Sequence, residues 1–203
     1  MRQETLAPWG ELVAEAGPMT ADGLLALPKD DWKYELVEGR LVRMSPTGQE
    51  HSDIWVRLFR ALDIHVERQQ LGMVNPPDAG YRLPDAGADD TVLSPDVSFI
   101  SSANLALLPP RGSKERQKFA PLAPDLAVEI ASPDQHRPVM AQKARRYLDA
   151  GTRMVWEVWP ASRGIDIWRP GGDAPAATLG EGETLDGAEV VLGFLLPVAA
   201  LFP

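Results

Sequence analysis

The strongest constraint on the fold is a strand, helix and strand that follow one another in the second half of the chain. Residues Asp125 to Ala131 are nearly all apolar, as expected for a strand buried on both faces. Helical spacing follows from about Arg137 to Ala150, and Met154 to Trp159 is again apolar. Two strands joined by one helix at this spacing form a right-handed crossover, so we expect them to be parallel. The pattern therefore predicts an α/β domain with at least one parallel pair of strands in its sheet.

The first half of the chain predicts a β-hairpin and a long helix. Tyr34 to Ser45 alternates in the manner of two strands, with Glu38-Gly39 at the turn. Apolar residues then recur at helical spacing from about Glu50 to Gln70. Thr91 to Ser101 is expected to form one strand, with Pro95 at an edge or bulge position.

The N-terminal 18 residues differ from the rest and are expected to form an extension to one domain of residues 19–203. Leu12, Val13 and Ala16 predict a short helix that Gly17-Pro18 would end. Thr20 is a predicted N-cap for a second short helix through Leu27. The length of 203 residues fits one domain with a short appendage.

Composition narrows the classes of function. The chain has no cysteine, which excludes disulfide frameworks, thiolate metal sites and cysteine nucleophiles and suits a cytoplasmic protein. No apolar run reaches the roughly 20 residues that span a bilayer. The formal net charge of −9 argues against a protein that coats nucleic acid nonspecifically. It argues less against a metal-dependent enzyme, because cations held by carboxylates can meet a phosphate backbone.

Two carboxylates stand inside apolar strand patterns. Glu129 interrupts a buried strand, and its neighbours at a spacing of two, Ala127 and Ala131, leave room beside it. Asp96 follows Pro95 at the end of another strand pattern. Together they predict a two-carboxylate site for Mg²⁺ or Mn²⁺, which prefer hard oxygen ligands. The alternative is that Glu129 pairs with a core arginine or lies at an exposed strand end.

Lys143 is the third candidate. It shares a helix face with Met140 and Tyr147, so we expect it to point toward the sheet and to need an anionic partner. The alternative is a lysine whose stem is packed while its amine reaches water. With Asp96 and Glu129 it predicts metal-assisted hydrolysis in which the amine stabilises negative charge in the transition state.

A set of ordered motifs strengthens this interpretation. The stretches in question are Tyr34 to Gly39, Met44-Ser45-Pro46, His51, Ser94 to Val97, Pro124 to Pro133, Lys143 to Tyr147, Gly151 and Val155 to Val158. In this order, over residues 19 to 203, the chain resembles the Uma-two family of the PD-(D/E)xK restriction-endonuclease-like superfamily. The resemblance implies an α/β (α+β) fold of the restriction-endonuclease-like kind, with a mixed central β-sheet flanked by helices and an N-terminal β-hairpin.

The resemblance implies roles for five residues. Asp96 matches the first acid of the superfamily motif and Glu129 the second, while Ala131 stands where the motif lysine is expected. Lys143 is then the residue that supplies the amine from the next helix. Glu35 and His51 are secondary candidates, Glu35 as an added acid and His51 as a proton carrier or water-orienting group. The alternative for His51 is a histidine that caps the start of its helix.

Three functions follow from these observations. The first is a Mg²⁺- or Mn²⁺-dependent endonuclease that cleaves phosphodiester bonds of nucleic acid, most naturally DNA. The second is a catalytically silent endonuclease-like fold that serves as a binding or assembly domain, expected as a homodimer. The third is metal-dependent hydrolysis of another phosphodiester or nucleotide. None of them involves a membrane.

Overall fold

A computed structural model describes residues 9–13, 18–84 and 90–202, and the structural statements below concern these residues. Four α-helices occur among them: α1 (Ala21–Leu25), α2 (Gln49–Gln69), α3 (Ser102–Leu105) and α4 (Arg137–Asp149). The strands before α4 are β1 (Glu11–Leu12), β2 (Lys33–Val37), β3 (Arg40–Met44), β4 (Gly72–Asn75), β5 (Tyr81–Arg82), β6 (Val92–Leu93), β7 (Val97–Ser101) and β8 (Leu126–Ile130). The strands after α4 are β9 (Met154–Trp159), β10 (Gly164–Trp168), β11 (Ala177–Leu179), β12 (Thr184–Asp186) and β13 (Leu195–Pro197).

The central sheet has six strands in the order β11-β10-β9-β8-β7-β4. Only β8 and β9 run parallel, and they are joined by α4, whereas the other neighbours pair antiparallel. The sheet is therefore mixed, and the predicted parallel pairing of these two strands and the fold class are confirmed.

Helices cover the two faces of this sheet. On one face, α2 packs the side chains of Ile54, Leu58 and Leu62 against strand residues that include Val128 and Trp156. On the other face, α4 packs Met140, Ala144 and Tyr147 against residues that include Ala127 and Val155. Alternation along β8 and β9 explains this arrangement, because successive side chains of a strand point to opposite faces. Glu129 belongs to the α4 face.

A second sheet lies next to the central sheet and contains the predicted hairpin. Its order is β1-β3-β2-β6-β5, and β2 pairs with β3 around a turn at Glu38 and Gly39. Both turn residues have positive φ angles, 50° and 73°, as hairpin turns of two residues require. The predicted cap on α1 is also present, since the Thr20 hydroxyl accepts a hydrogen bond from the backbone N–H of Gly23.

The prediction of one strand over Thr91 to Ser101 is wrong. Residues Val92–Leu93 form β6 of the hairpin sheet, and Val97–Ser101 form β7 of the central sheet. Pro95, which has no N–H to donate to a ladder, lies in the break. The chain therefore changes sheets immediately before Asp96, which places this residue where the two sheets meet.

Other differences concern short segments whose pairing partners are distant in sequence. Glu11–Leu12 form β1 beside β3 instead of a helix, while Ala16 of that predicted helix lies outside the described residues. β4, which pairs with β7, was not expected from the sequence. The boundary at residue 18 stays a prediction.

Candidate active site

The candidate site lies where the start of β7 and the end of β8 meet the hairpin sheet. The register pairs Val97 with Val128, and one residue further along it Asp96 stands opposite Glu129. The two acids that interrupt the apolar patterns are therefore neighbours across the central sheet. A cleft of about 430 Å³ opens over them, with Asp96, Glu129, Lys143 and His51 among its lining residues.

Asp96 is held as a carboxylate by hydrogen-bond donors and positive charge. Its Oδ2 accepts a hydrogen bond from the backbone N–H of Ile130 at 2.8 Å and lies 3.2 Å from Nε2 of His51. Burial alone would raise the pKa of this carboxyl. The hydrogen bond from His51, the charges of Lys33 and His51, and the Ile130 N–H together lower that pKa below its usual range.

Glu129 is the more buried acid. Its Oε1 lies 2.9 Å from Nζ of Lys143 and accepts a hydrogen bond from the Tyr147 hydroxyl at 2.8 Å. Burial raises the pKa of Glu129 to about 7, and the negative charges of Asp96 and Glu35 add to this rise while Lys143 opposes it. Glu129 is therefore an acid whose charge depends on its cationic neighbour.

Lys143 points toward the sheet, as its helical spacing predicts, and is enclosed there. Its side chain is 3% exposed, and Nζ lies 2.9 Å from Glu129 and 3.1 Å from Oε1 of Glu35. The ring of Trp9 lies beside it, 5.7 Å from Nζ to the ring centroid. Burial would lower the pKa of Lys143, but Glu129 and Glu35 raise it, so the amine stays charged.

Glu35 completes this buried ion-pair cluster. Its side chain is fully buried on β2 and accepts hydrogen bonds from the Trp9 indole at 2.9 Å and from the backbone N–H of Ser94 at 2.8 Å. Two donors and Lys143 thus satisfy a carboxylate that would otherwise be costly to bury. Glu35 lies behind the cleft and links the hairpin sheet to α4.

All five predicted site residues are brought together, in two connected groups. His51 and Asp96 form one group at the cleft, and Glu35, Glu129 and Lys143 form the other beneath it. Among the described residues, no group of three or more acidic, histidine or cysteine side chains has the arrangement of a metal site. Asp96 and Glu129 remain the predicted metal ligands, as a pair.

Three residues that contribute to the site were not recognised from the sequence. Lys33 donates a hydrogen bond from Nζ to the backbone oxygen of Ser94 at 2.6 Å and lines the cleft. A spacing of two from Glu35 along β2 was the available signal for it. Tyr147 follows Lys143 by one helical turn, which was the signal there. Trp9 had no such signal, because its contacts with Glu35 and Gln135 span 26 and 126 residues.

Most of the chain matches the model of a known protein family. Residues 21–199 match the family model described as "Uma2: Putative restriction endonuclease". The chain belongs to the Uma2 family. This match confirms the resemblance to the Uma-two family that the ordered motifs indicated.

The fold of this Uma2 chain is similar to that of a solved structure. It is the crystal structure of a protein from Anabaena variabilis that is titled a putative nuclease belonging to DUF820. The two chains share 22% identity and a TM-score of 0.72, over 91% of this chain and 98% of the other. No curated protein shows significant similarity to the chain. Within the described part of this Uma2 chain, no helix has the length and apolar character needed to cross a membrane.

Proposed function

We propose that this Uma2 protein is a Mg²⁺- or Mn²⁺-dependent endonuclease that hydrolyses phosphodiester bonds of DNA. The observation that carries the proposal is the placement of Asp96 opposite Glu129 at the floor of a cleft. The family description and the nuclease title of the Anabaena variabilis structure support the same reaction class.

The two carboxylates suit a divalent cation. Among the hydrogen bonds of the described residues, those to the Asp96 side chain reach Oδ2, and the contacts from Lys143 and Tyr147 to Glu129 reach Oε1. One oxygen of each carboxylate is thus left to hold the cation, together with water and substrate oxygens. When bound, the cation supplies Lewis-acid polarisation of the phosphoryl group and acidifies water.

The remaining side chains would position these ligands and move a proton. Lys143 and Tyr147 fix one oxygen of Glu129, so both act through that carboxylate in this proposal. His51 lies against Asp96 with its side chain 11% exposed and lines the cleft, where its neutral ring would accept a proton from the attacking water and its charged ring would orient that water.

One observation favours a second candidate, a catalytically silent member that serves as a binding or assembly domain. Lys143 already neutralises both Glu129 and Glu35 through short ion pairs. A buried lysine in this position can replace a cation structurally, and the fold would then be stable with no metal. Calorimetry with Mn²⁺ separates the candidates: binding that Glu129→Ala removes supports the enzyme, and no binding supports the silent domain.

The test of the nuclease is cleavage of plasmid and linear duplex DNA in Mn²⁺ or Mg²⁺. We expect Asp96→Asn to lower the cleavage rate by about 100-fold or more, because it removes a charged ligand. Asp149→Asn, at an exposed position on α4, serves as the control and should leave the rate unchanged. Equal rates for the wild type and Asp96→Asn would overturn the proposal, as would a wild type that is inactive with both metals.

A further inference from the structure

The buried lysine of the site is already engaged by two carboxylates. Lys143 is 3% exposed and its amine is held between Glu129 and Glu35, with the ring of Trp9 close by. Moving this amine into the cleft would leave two buried carboxylates without their counter-charge, at a cost of several kcal/mol. Beside the proposed metal ion, any side-chain cation that contacts a phosphodiester in the cleft is therefore a residue other than Lys143.

Lys33 is placed to be that cation. As the first residue of β2 it lies two positions before Glu35, on the same side of the strand. Its side chain is half-buried and lines the cleft beside Asp96. The hydrogen bond from Nζ to the backbone oxygen of Ser94 at 2.6 Å fixes the amine near the point where the chain changes sheets. An ammonium has three N–H donors, so this bond leaves two for a ligand.

The other cations around the cleft are already engaged. Three lysine and arginine side chains occur among its described lining residues: Lys33, Arg43 and Lys143. Arg43 lies 2.8 Å from Glu11 and also packs over the ring of Trp32 at 4.7 Å. Of the three, Lys33 alone has a backbone carbonyl, and no carboxylate at ion-pair distance, as the partner described for its amine.

We propose that Lys33, and not Lys143, binds the scissile phosphate of the substrate and stabilises its negative charge during hydrolysis. This rests on the nuclease function proposed above. In the reaction a water oxygen forms a bond to phosphorus and the bond from phosphorus to the leaving oxygen breaks. The water loses a proton and the leaving oxygen gains one. Lys33 stays protonated throughout and donates hydrogen bonds to a nonbridging oxygen, whose charge rises in the transition state.

The test compares Lys33→Gln and Lys33→Arg with the wild type. Glutamine keeps an N–H donor for the Ser94 oxygen but removes the charge, whereas arginine keeps the charge. Lys29→Met is the control, because Lys29 is exposed and lies four residues earlier. Two measurements are made: kcat and KM for duplex DNA in Mn²⁺, and the affinity for a fluorescent duplex in Ca²⁺ at several salt concentrations. Thermal unfolding checks that each variant is folded.

We expect Lys33→Gln to weaken duplex binding roughly fivefold to twentyfold and to lower kcat by a further tenfold or more. The slope of log affinity against log salt should fall by about one, since one phosphate contact is lost. Lys33→Arg should retain most of the binding, and Lys29→Met all of it. If Lys33 only donated a hydrogen bond to the Ser94 oxygen, Lys33→Gln would keep the salt slope, the duplex affinity and the kcat of the wild type, because glutamine also supplies an N–H donor.

The outcomes separate this inference from the proposed function. If the wild type cleaves DNA and Lys33→Gln matches it in kcat, KM and salt slope, the role of Lys33 is overturned and the nuclease stands. If the wild type does not cleave but Lys33→Gln loses duplex affinity, the nuclease fails and Lys33 remains a phosphate-binding residue. A wild type that neither binds nor cleaves DNA overturns both.

Discussion

At the scale of single residues, Lys143 acts as the counter-charge of a buried acidic pair. Its amine contacts Glu35 from the hairpin sheet and Glu129 from the central sheet. Removing one partner of such a buried group is far more costly than the net contribution of the intact interaction, because it leaves charge uncompensated. Lys143 therefore joins three elements of the fold as well as supporting the carboxylate that would hold the cation.

We expect Lys143→Met to lower the free energy of unfolding at pH 7 by about 3–5 kcal/mol. The double variant Lys143→Met, Glu129→Gln should recover part of this loss, because one of the two unpaired carboxylates is then neutral. Tyr147→Phe is a milder comparison, expected to cost about 1–2 kcal/mol for one hydrogen bond to a charged group. Urea denaturation at constant pH measures all three. A loss below about 1 kcal/mol for Lys143→Met would contradict the counter-charge role.

These residues also show what the sequence could predict about the site. Asp96 and Glu129 were visible because a charge inside an apolar strand pattern needs a reason, and Lys143 because helical spacing turns it toward the sheet. Lys33 had only its spacing of two from Glu35 as a signal, and Trp9 had none, because the contacts of both depend on how the hairpin sheet meets the central sheet. Local periodicity carries no information on such contacts.

At the scale of elements, the central sheet carries a row of acids on its α4 face. The register of β7 to β10 sets Asp96, Glu129, Glu157 and Asp166 side by side. The four carboxyl groups differ in their polar partners. Asp166 contacts Arg137 and accepts a hydrogen bond from the Thr178 hydroxyl at 2.6 Å. Glu157 is 1% exposed, and neither of its carboxyl oxygens has a hydrogen-bond partner among the described residues.

Because Glu157 is buried without such a partner, it makes the free energy of unfolding depend on pH. Burial raises the pKa of Glu157 from 4.5 to about 8; the nearby indole of Trp168 and the charge of Arg137 oppose this rise, and the negative charges of Asp166 and Glu129 add to it. A pKa that is raised in the folded state means that the folded protein holds a proton which the unfolded chain releases. The contribution of this group to stability is therefore complete below about pH 4.5 and is lost as the pH rises through 8.

We expect Glu157→Gln and the wild type to have similar free energies of unfolding near pH 4.5. Their difference should grow with pH, by up to about 1.4 kcal/mol per unit, until Glu157→Gln is clearly the more stable protein above pH 8. Glu67→Gln, at an exposed position on α2, is the control and should follow the wild type at every pH. Urea titrations at pH 5, 7 and 8.5 measure the difference; parallel curves for Glu157→Gln and the wild type would refute the assignment.

Some helices and strands have a local signal in the sequence, and others do not. The crossover of β8, α4 and β9, the hairpin and α2 were predicted because each has its own periodicity and a local turn or cap. The division of Thr91 to Ser101 between two sheets was not, because both halves have strand character and only the hydrogen-bond partners of β6 and β7 differ. β4 is a short strand whose character comes from pairing with β7.

At the scale of the whole molecule, the fold depends on the joint between its two sheets, and the N-terminal segment is part of that joint. Trp9 is 4% exposed, donates to Glu35 through its indole, and lies beside the amine of Lys143. Its carbonyl oxygen accepts a hydrogen bond from Gln135 at 3.0 Å, and β1 extends the hairpin sheet. These contacts predict that residues 9–12 stabilise the ion-pair cluster, although the sequence suggested an extension outside the domain.

A chain that begins at Met19 tests this directly. Loss of a buried tryptophan costs about 3–5 kcal/mol, and here it would also expose Glu35 and Lys143 to water and open one wall of the cleft. We therefore expect the free energy of unfolding to fall by at least about 3 kcal/mol. A chain that begins at Pro8 is the matched control, since it keeps Trp9 and β1, and its free energy of unfolding is the reference for the chain that begins at Met19. Equal stability of the chains that begin at Met19 and Pro8 would instead support a domain boundary at residue 18, and the cluster of Glu35, Glu129 and Lys143 would then be stable without the tryptophan beside it.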